Sequence, residues 1–242
     1  MERKTVKYET KGAIGVISLN RPEKLNAQNA LMAQELLEAF KEADADQQVR
    51  AVVFRGEGRA FCSGHDLTEE TGKDSLEREL AAVELLQKVT GAIMGMGKPV
   101  VVAVQGYALG AGCEWVMNCD LIIAAEGAKF GFPETRIGSA VGNGGTKLLP
   151  LIIGMARAKE MILLGTLIEA DQAEKWGLVN RVVPPDRLLD EAITMAGKMA
   201  ENPELANRLA KLAMNRALDL DMEQALQIEL KDMILTDKIS RR

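Results

Sequence analysis

The chain has 242 residues, 47% of them hydrophobic and 27% charged, and Lys+Arg 30 against Asp+Glu 35 leaves a formal net charge of −5. That length suits one globular domain, or a core with a small appendage, and the composition lies far from that of disordered chains. The mildly acidic balance and an aromatic content of only 4% exclude a broad basic nucleic-acid footprint, a polybasic membrane surface and an extended base-stacking platform.

Met1 to Lys11 is charged and leads into a short apolar stretch without a cleavage-type pattern, so no signal peptide is expected. A strand is predicted at Ile14 to Leu19, then a helix in which Met32, Leu36, Leu37 and Phe40 share one face. Apolar runs at Val52 to Phe54, Val100 to Val104 and Leu121 to Ala124 read as strands, each followed by a glycine-bearing loop. Leu76, Leu80, Val83, Leu86 and Val89 recur at spacings of three and four, the signature of a second helix with one apolar face. Strands alternating with helices predict an α/β core.

After Thr146 the pattern becomes helix after helix, through Ala156 to Leu164, Ala170 to Trp176, Leu188 to Ala200 and Leu205 to Leu218, with Pro184, Pro185 and Pro203 as breaks. This stretch carries more Leu, Ile, Met and Ala than a free-standing amphipathic helix needs, so it is expected to pack on the core or on another subunit. We therefore expect a core over residues 1–190 and a helical oligomerisation region over 191–242. No run approaches the ~18 apolar residues of a membrane span, so the expectation is a cytoplasmic protein with no membrane partner.

Cys62, Cys113 and Cys119 form no CxxC pair, and His65 is the one histidine, so a metal centre or a Ser-His-Asp site is not expected. Carboxylates and backbone amides are left to do any chemistry. Glycines cluster at Gly56 to Gly64, Gly106 to Gly112 and Gly138 to Gly145 without matching a dinucleotide fingerprint or a Walker loop. The strand Val100 to Val104 runs into the small-residue turn Gly106 to Gly112 and then a helix, whose first N–H groups nothing bulky screens. A similar turn, Gly58 to Leu67, follows the strand at Val52. Two such loops could each lend an amide to one oxygen, the composition of an oxyanion hole.

Five segments occur in the order and spacing of a known family: Asn20 to Ala27, Ala60 to Leu67, Gly106 to Glu114, Phe130 to Glu134 and Gly142 to Thr146. With them, and with Ala170 to Val179, the chain resembles the crotonase superfamily, the enoyl-CoA hydratases and isomerases. The resemblance implies a spiral of repeated ββα units with a helical C-terminal trimerisation region, assembled as a homotrimer or a dimer of trimers. It implies an acyl-CoA thioester as substrate, with no cofactor beyond the coenzyme A the substrate carries, no metal and no nucleic acid.

Carried over by position, the resemblance puts oxyanion-hole amides at Ser63 and Ala111 and the catalytic pair at Glu114 and Glu134. It lines the CoA and acyl sites with Lys24, Leu25, Ala27, Ser63, Gly64, His65, Asp66, Leu67, Ala111, Phe132 and Val141. Glu134 is expected to donate or remove the Cα proton and Glu114 to orient and activate the water. Phe132 and Val141 depart from common family residues and are expected to reshape the acyl pocket. The resemblance implies that relatives usually continue past the position of Arg242 with another helix bearing a lysine-rich CoA contact; either that contact is missing here or the sequence stops short of it. The implied activity is hydration of a 2-enoyl-CoA; the alternatives are a double-bond isomerase or another crotonase-type lyase, and, more distantly, a noncatalytic CoA- or RNA-binding trimer.

Overall fold

The computed structural model describes residues 3–68 and 76–240; the terminal Arg242, on which the missing-helix expectation rests, lies outside them. A six-stranded sheet is built from β1 (Val6–Lys11), β2 (Ile14–Leu19), β3 (Ala51–Gly56), β4 (Val100–Val104), β6 (Leu121–Ala125) and β9 (Arg181–Val183), paired in that order. Within this sheet, among the described residues, only the β1–β2 pair is antiparallel. A smaller sheet joins β5 (Tyr107–Leu109), β7 (Lys129–Gly131) and β8 (Leu167–Glu169). Isolated bridges extend that second layer, Cys62 with Ala108 and Gln28 with His65.

These two layers reproduce the repeated ββα pattern. Three large-sheet strands are each followed by a short rung of the second layer and then by a helix: β2, Gln28 and α1 (Ala30–Ala45); β3, Cys62 to His65 and α2 (Leu76–Gly95); β4, β5 and α3 (Ala111–Met117). After β6 and β7 come the 3₁₀ turn Pro133–Ile137 and then α4 (Gly145–Ile153). Every turn of the spiral therefore delivers a loop and a helix N-terminus to the same side of the molecule.

Parallel strands covered on both faces need continuous apolar runs, and the period of two sorts their residues between two cores. Ile17, Leu19, Val52, Phe54, Val100, Val102 and Val104 join one cluster with Met32, Leu36 and Phe40 of α1. Val16, Val53, Val101, Ala103 and Ile123 join the other, closed by Leu188, Ala192 and Ala196 of α7 (Leu188–Glu201). α7 begins before the division expected at residues 190 and 191 and packs on the large sheet, so the helices that stand off the core are α8 (Glu204–Ala217) and α9 (Met222–Ser240). Lys211 ties α8 down: its ammonium donates to the carbonyls of Ile93 and Lys98 at 3.0 Å each and pairs with Asp120 at 2.8 Å.

α1 uses the face predicted for it, with Asn29 capping its first turn by accepting from the Met32 amide. α2 does so only in part. Val89 and Ile93 are buried, whereas Leu76, Leu80 and Val83 are exposed, because the N-terminal half of the helix runs beyond the core cluster. Between α4 and the last helices lie α5 (Met155–Leu164) and α6 (Ala170–Lys175). Among the described residues no helix is long and apolar enough to cross a membrane.

Candidate active site

The first motif is welded to the loop after β3. Asn26 is fully buried; its side-chain amide donates to the carbonyls of Glu57 (2.9 Å) and Ala60 (2.8 Å), and its oxygen accepts from the Arg21 amide (2.8 Å). Arg21 also reaches Asp66 at 2.8 Å and the Ala27 carbonyl at 2.6 Å. The Thr68 hydroxyl and then Arg21 hold the Asp66 carboxyl down, to about 2. Leu25 and Asn26 sit at φ 52° and 54°, the left-handed region that non-glycine residues occupy only where the surroundings fix them.

This geometry corrects one expected amide donor. The Ser63 N–H donates to the Leu25 carbonyl at 3.1 Å and is already satisfied. On the same side, Gln28 donates to Gly64 O at 2.7 Å and accepts from the Asp66 amide at 2.8 Å, so the parallel bridge turns the N–H and C=O of His65 itself toward the opposite flank. That is the flank on which Cys62 pairs with Tyr107 and Leu109. β5 ends at Leu109, and among the described residues the His65 amide has no acceptor. The Ala111 amide, first of α3, has none either.

Two glycines make close approach possible. A Cβ at Gly112 would stand 2.7 Å from Cys62 Cβ and O, so the start of α3 lies directly against the Cys62–His65 rung. Gly110, at φ 52°, is the residue before the Ala111 amide, and a Cβ there would meet Glu134 Oε1 at 2.7 Å. One turn into the same helix stands Glu114. The free amide of Ala111 is therefore flanked by both carboxylates, one beside the preceding residue and one three residues on.

Glu114 is 2% exposed. Its Oε1 accepts from the amides of Asn143 (2.7 Å) and Gly145 (2.9 Å), and its Oε2 from the Asn143 side chain (3.1 Å). Burial pushes its carboxyl above the ordinary range, and these hydrogen bonds pull in the other direction. Glu134 is half-buried in the 3₁₀ turn, and its Oε2 is shielded from solvent with no partner among the described residues. Its carboxyl is raised by burial and then by the charge of Glu114, against one backbone hydrogen bond.

The other expected lining residues divide. Val141 lies beside Glu114, since a Cβ at Gly145 would meet Val141 Cγ1 at 2.7 Å and Glu114 Oε1 at 3.0 Å. Gly64 and Ala27 are buried in the loop, Leu25 is half-buried, and Lys24, His65 and Leu67 are exposed at its rim. His65 Nδ1 is 2.9 Å from Gln28 Oε1. Two side chains are not available to a ligand as expected: Phe132 is fully enclosed in the core, and the Asp66 carboxylate is engaged by Arg21 and Thr68. Sequence reasoning did not single out Asn143, although it lies in the Gly142 to Thr146 motif, two residues before α4.

The three thiols are buried and free, and burial pushes Cys62 up to about 12 and the other two higher still, so none is a nucleophile at neutral pH. Among the described residues no cluster of three or more His, Cys, Asp or Glu is placed to hold a metal ion. A groove of about 450 Å³ between α1 and α2, lined by Phe40, Lys41, Lys88 and Met96, lies apart from the carboxylates; chemistry rather than volume identifies the site.

Residues 9–241 match the family model described as enoyl-CoA hydratase/isomerase. The chain is 44% identical over 232 residues to a probable enoyl-CoA hydratase of Rhizobium meliloti, covering 95% of this chain and 88% of that one. It is 38% identical over 230 residues to a short-chain-enoyl-CoA hydratase of Clostridium acetobutylicum, with 95% and 88% covered. The crystal structure of an enoyl-CoA hydratase subunit from Geobacillus kaustophilus superposes with a TM-score of 0.92 at 38% identity, covering 98% of this chain and 91% of the other. Paired carboxylates around a free helix-start amide, on a spiral of ββα units shared with these proteins, lead to one assignment: the chain belongs to the enoyl-CoA hydratase/isomerase family of the crotonase superfamily.

Proposed function

We propose that the protein is an enoyl-CoA hydratase, adding water across the 2,3 double bond of an α,β-unsaturated acyl-CoA. The observation that carries this reading is the placement of Glu114 and Glu134 on either side of the unpaired Ala111 amide. The thioester oxygen is received by the amides of Ala111 and His65, each preorganised donor being worth roughly 2.7 to 4 kcal/mol to the developing enolate. Glu114, ionised, takes a proton from water as its oxygen bonds to Cβ. Glu134, protonated, gives its proton to Cα as the enolate collapses. Each turnover leaves the proton on Glu114 and the charge on Glu134, so the pair must exchange a proton before the next.

In this reading the backbone of residues 63–67, with Lys24, Leu25 and Ala27, borders the coenzyme A portion of the substrate, and Val141 borders the acyl group. Coenzyme A arrives with the substrate and no separate cofactor takes part. A homotrimer, or a pair of trimers, is supported by exposed apolar side chains on α5, α8 and α9, among them Leu163 (66%), Leu164 (61%) and Met233 (73%).

The test follows the conjugated thioester absorbance. With short-chain 2-enoyl-CoA thioesters the native protein is expected to bleach it and yield the 3-hydroxyacyl product. Failure across chain lengths, together with conversion of 3-enoyl-CoA into the conjugated isomer, would replace hydration by isomerisation.

A further inference from the structure

We propose that the Asn143 side chain is a positioning residue that keeps Glu114 ionised and fixed in one rotational state, leaving one carboxylate oxygen to take the proton from water. The water step rests on the hydratase reading; the effect on Glu114 does not. Oε1 already accepts two backbone amides, at 2.7 and 2.9 Å, while Oε2 accepts only the Asn143 side chain at 3.1 Å and keeps capacity for a further donor. The two backbone bonds do not depend on which side chain stands at position 143. The third one does.

The loop that carries Asn143 has little freedom. Gln87 of α2 donates to the Gly142 carbonyl (3.1 Å), Thr90 Oγ1 donates to the Asn143 carbonyl (3.3 Å), and Asn118 at the end of α3 donates to Thr90 Oγ1 (2.9 Å). Asn143 itself is 5% exposed. Among the described residues no cation offsets the charge of Glu114. The titratable groups acting with it are Glu134 from the 3₁₀ turn and the Cys113 thiol on its own helix, neither positive, and Lys147 on α4 is engaged with Asp219. An ionised Glu114 therefore depends on neutral donors, and burial makes each of them count.

Three variants test this. Asn143→Ala removes the donor, Asn143→Asp keeps the shape but replaces the donor with an acceptor, and Thr90→Val only slackens the loop. Ionisation of Glu114 is read on the unliganded protein, from the infrared band of the protonated carboxyl that disappears in Glu114→Gln. It is read again as the acid limb of kcat/KM against pH.

Asn143→Ala is expected to move both upward, with kcat on the acid side falling about tenfold, the loss of one hydrogen bond to a charged group, and KM little changed. Asn143→Asp is expected to exceed it, although the two side chains are isosteric, whereas Thr90→Val lowers the plateau without moving the limb. An unmoved infrared titration in Asn143→Ala, or an aspartate variant that titrates like the native protein, would overturn the proposal. If the alanine variant does not fold, the isosteric aspartate variant decides alone. A native protein that hydrates no enoyl-CoA would remove the hydratase reading, and the infrared titration would still decide the role of Asn143.

Discussion

Glu114 and Glu134 are both carboxylates that burial pushes upward, yet the two regions that carry them are built in opposite ways. Glu114 projects from α3 into a loop that gives it three hydrogen bonds, and both its oxygens are held. Glu134 sits in a 3₁₀ turn against Gly110, with Oε2 out of solvent and unpaired and with a like charge nearby. Donors favour the ionised form and their absence favours the protonated one, so the same residue type is prepared as a base at one place and as an acid at the other. The asymmetry comes from the surroundings, since burial acts on both.

The largest expected effect would break this division if it were wrong. Glu134→Gln removes the Cα proton carrier and should lower hydration by on the order of 10³, within the range of general acid catalysis. It should also abolish exchange of the Cα proton with deuterated solvent in the 3-hydroxyacyl-CoA product. Glu114→Gln should lower hydration comparably but retain some exchange, because the group at Cα remains. Equal loss of exchange in both variants would show that the two carboxylates act as one unit.

A smaller loss is expected from Ala111→Pro. Proline is tolerated at the first position of a helix, so α3 should survive, but the amide proton between the two carboxylates is gone. Hydration should fall by roughly 10² to 10³ and Cα exchange should fall with it, since both halves pass through the same enolate. A variant that loses hydration while keeping exchange would mean that the oxygen is held elsewhere.

The pH profile sharpens the comparison without a mutation. Glu114 must be ionised, so activity is gained as pH rises through its carboxyl, which burial places above the ordinary range. Glu134 must be protonated, so activity is lost as pH rises through a carboxyl lifted by burial and by Glu114. A bell is expected, with its alkaline limb absent in Glu134→Gln and its acid limb absent in Glu114→Gln. If both variants lose the same limb, the roles are not divided as proposed.

Much of this was legible in the sequence, and the gaps have physical causes. The long apolar strands and the α1 stripe declare themselves because they are buried on both faces or along one full helical side. β5, β7, β8 and β9 have three residues each, too few to show a period, and β1 alternates charged residues because it is an edge strand with only Val6 buried. The glutamates were found through motif spacing. The engaged Ser63 amide and the free His65 amide could not be, because every residue but proline has an N–H and only the pairing of neighbouring strands decides which ones are used up. Phe132 misled for a related reason: spacing along the chain places it beside Glu134, but not on which side of the layer its ring lies.

A third buried carboxylate tests whether donors or burial decide ionisation in this protein, with the smallest expected consequence for turnover. Glu35 on α1 accepts from the amides of Lys4 (2.9 Å), Thr5 (2.7 Å) and Val6 (3.1 Å) and from the Thr5 hydroxyl (2.6 Å), tying the entry to β1 onto the helix. Burial raises its carboxyl, but four donors together outweigh burial and hold it below the ordinary range. A depressed folded value stabilises the protein above the unfolded value, and that contribution is lost as pH falls through the folded one. Glu35→Gln should therefore cost about 1 to 3 kcal/mol at neutral pH, because its side-chain amide faces donors it cannot satisfy. Thermal melts of native and variant protein should converge as the pH is taken below the ordinary glutamate range, while hydration at neutral pH and moderate temperature stays near native. A gap that does not narrow in acid would mean that Glu35 acts by shape alone, and the argument that three donors keep Glu114 ionised would lose its best parallel in the same molecule.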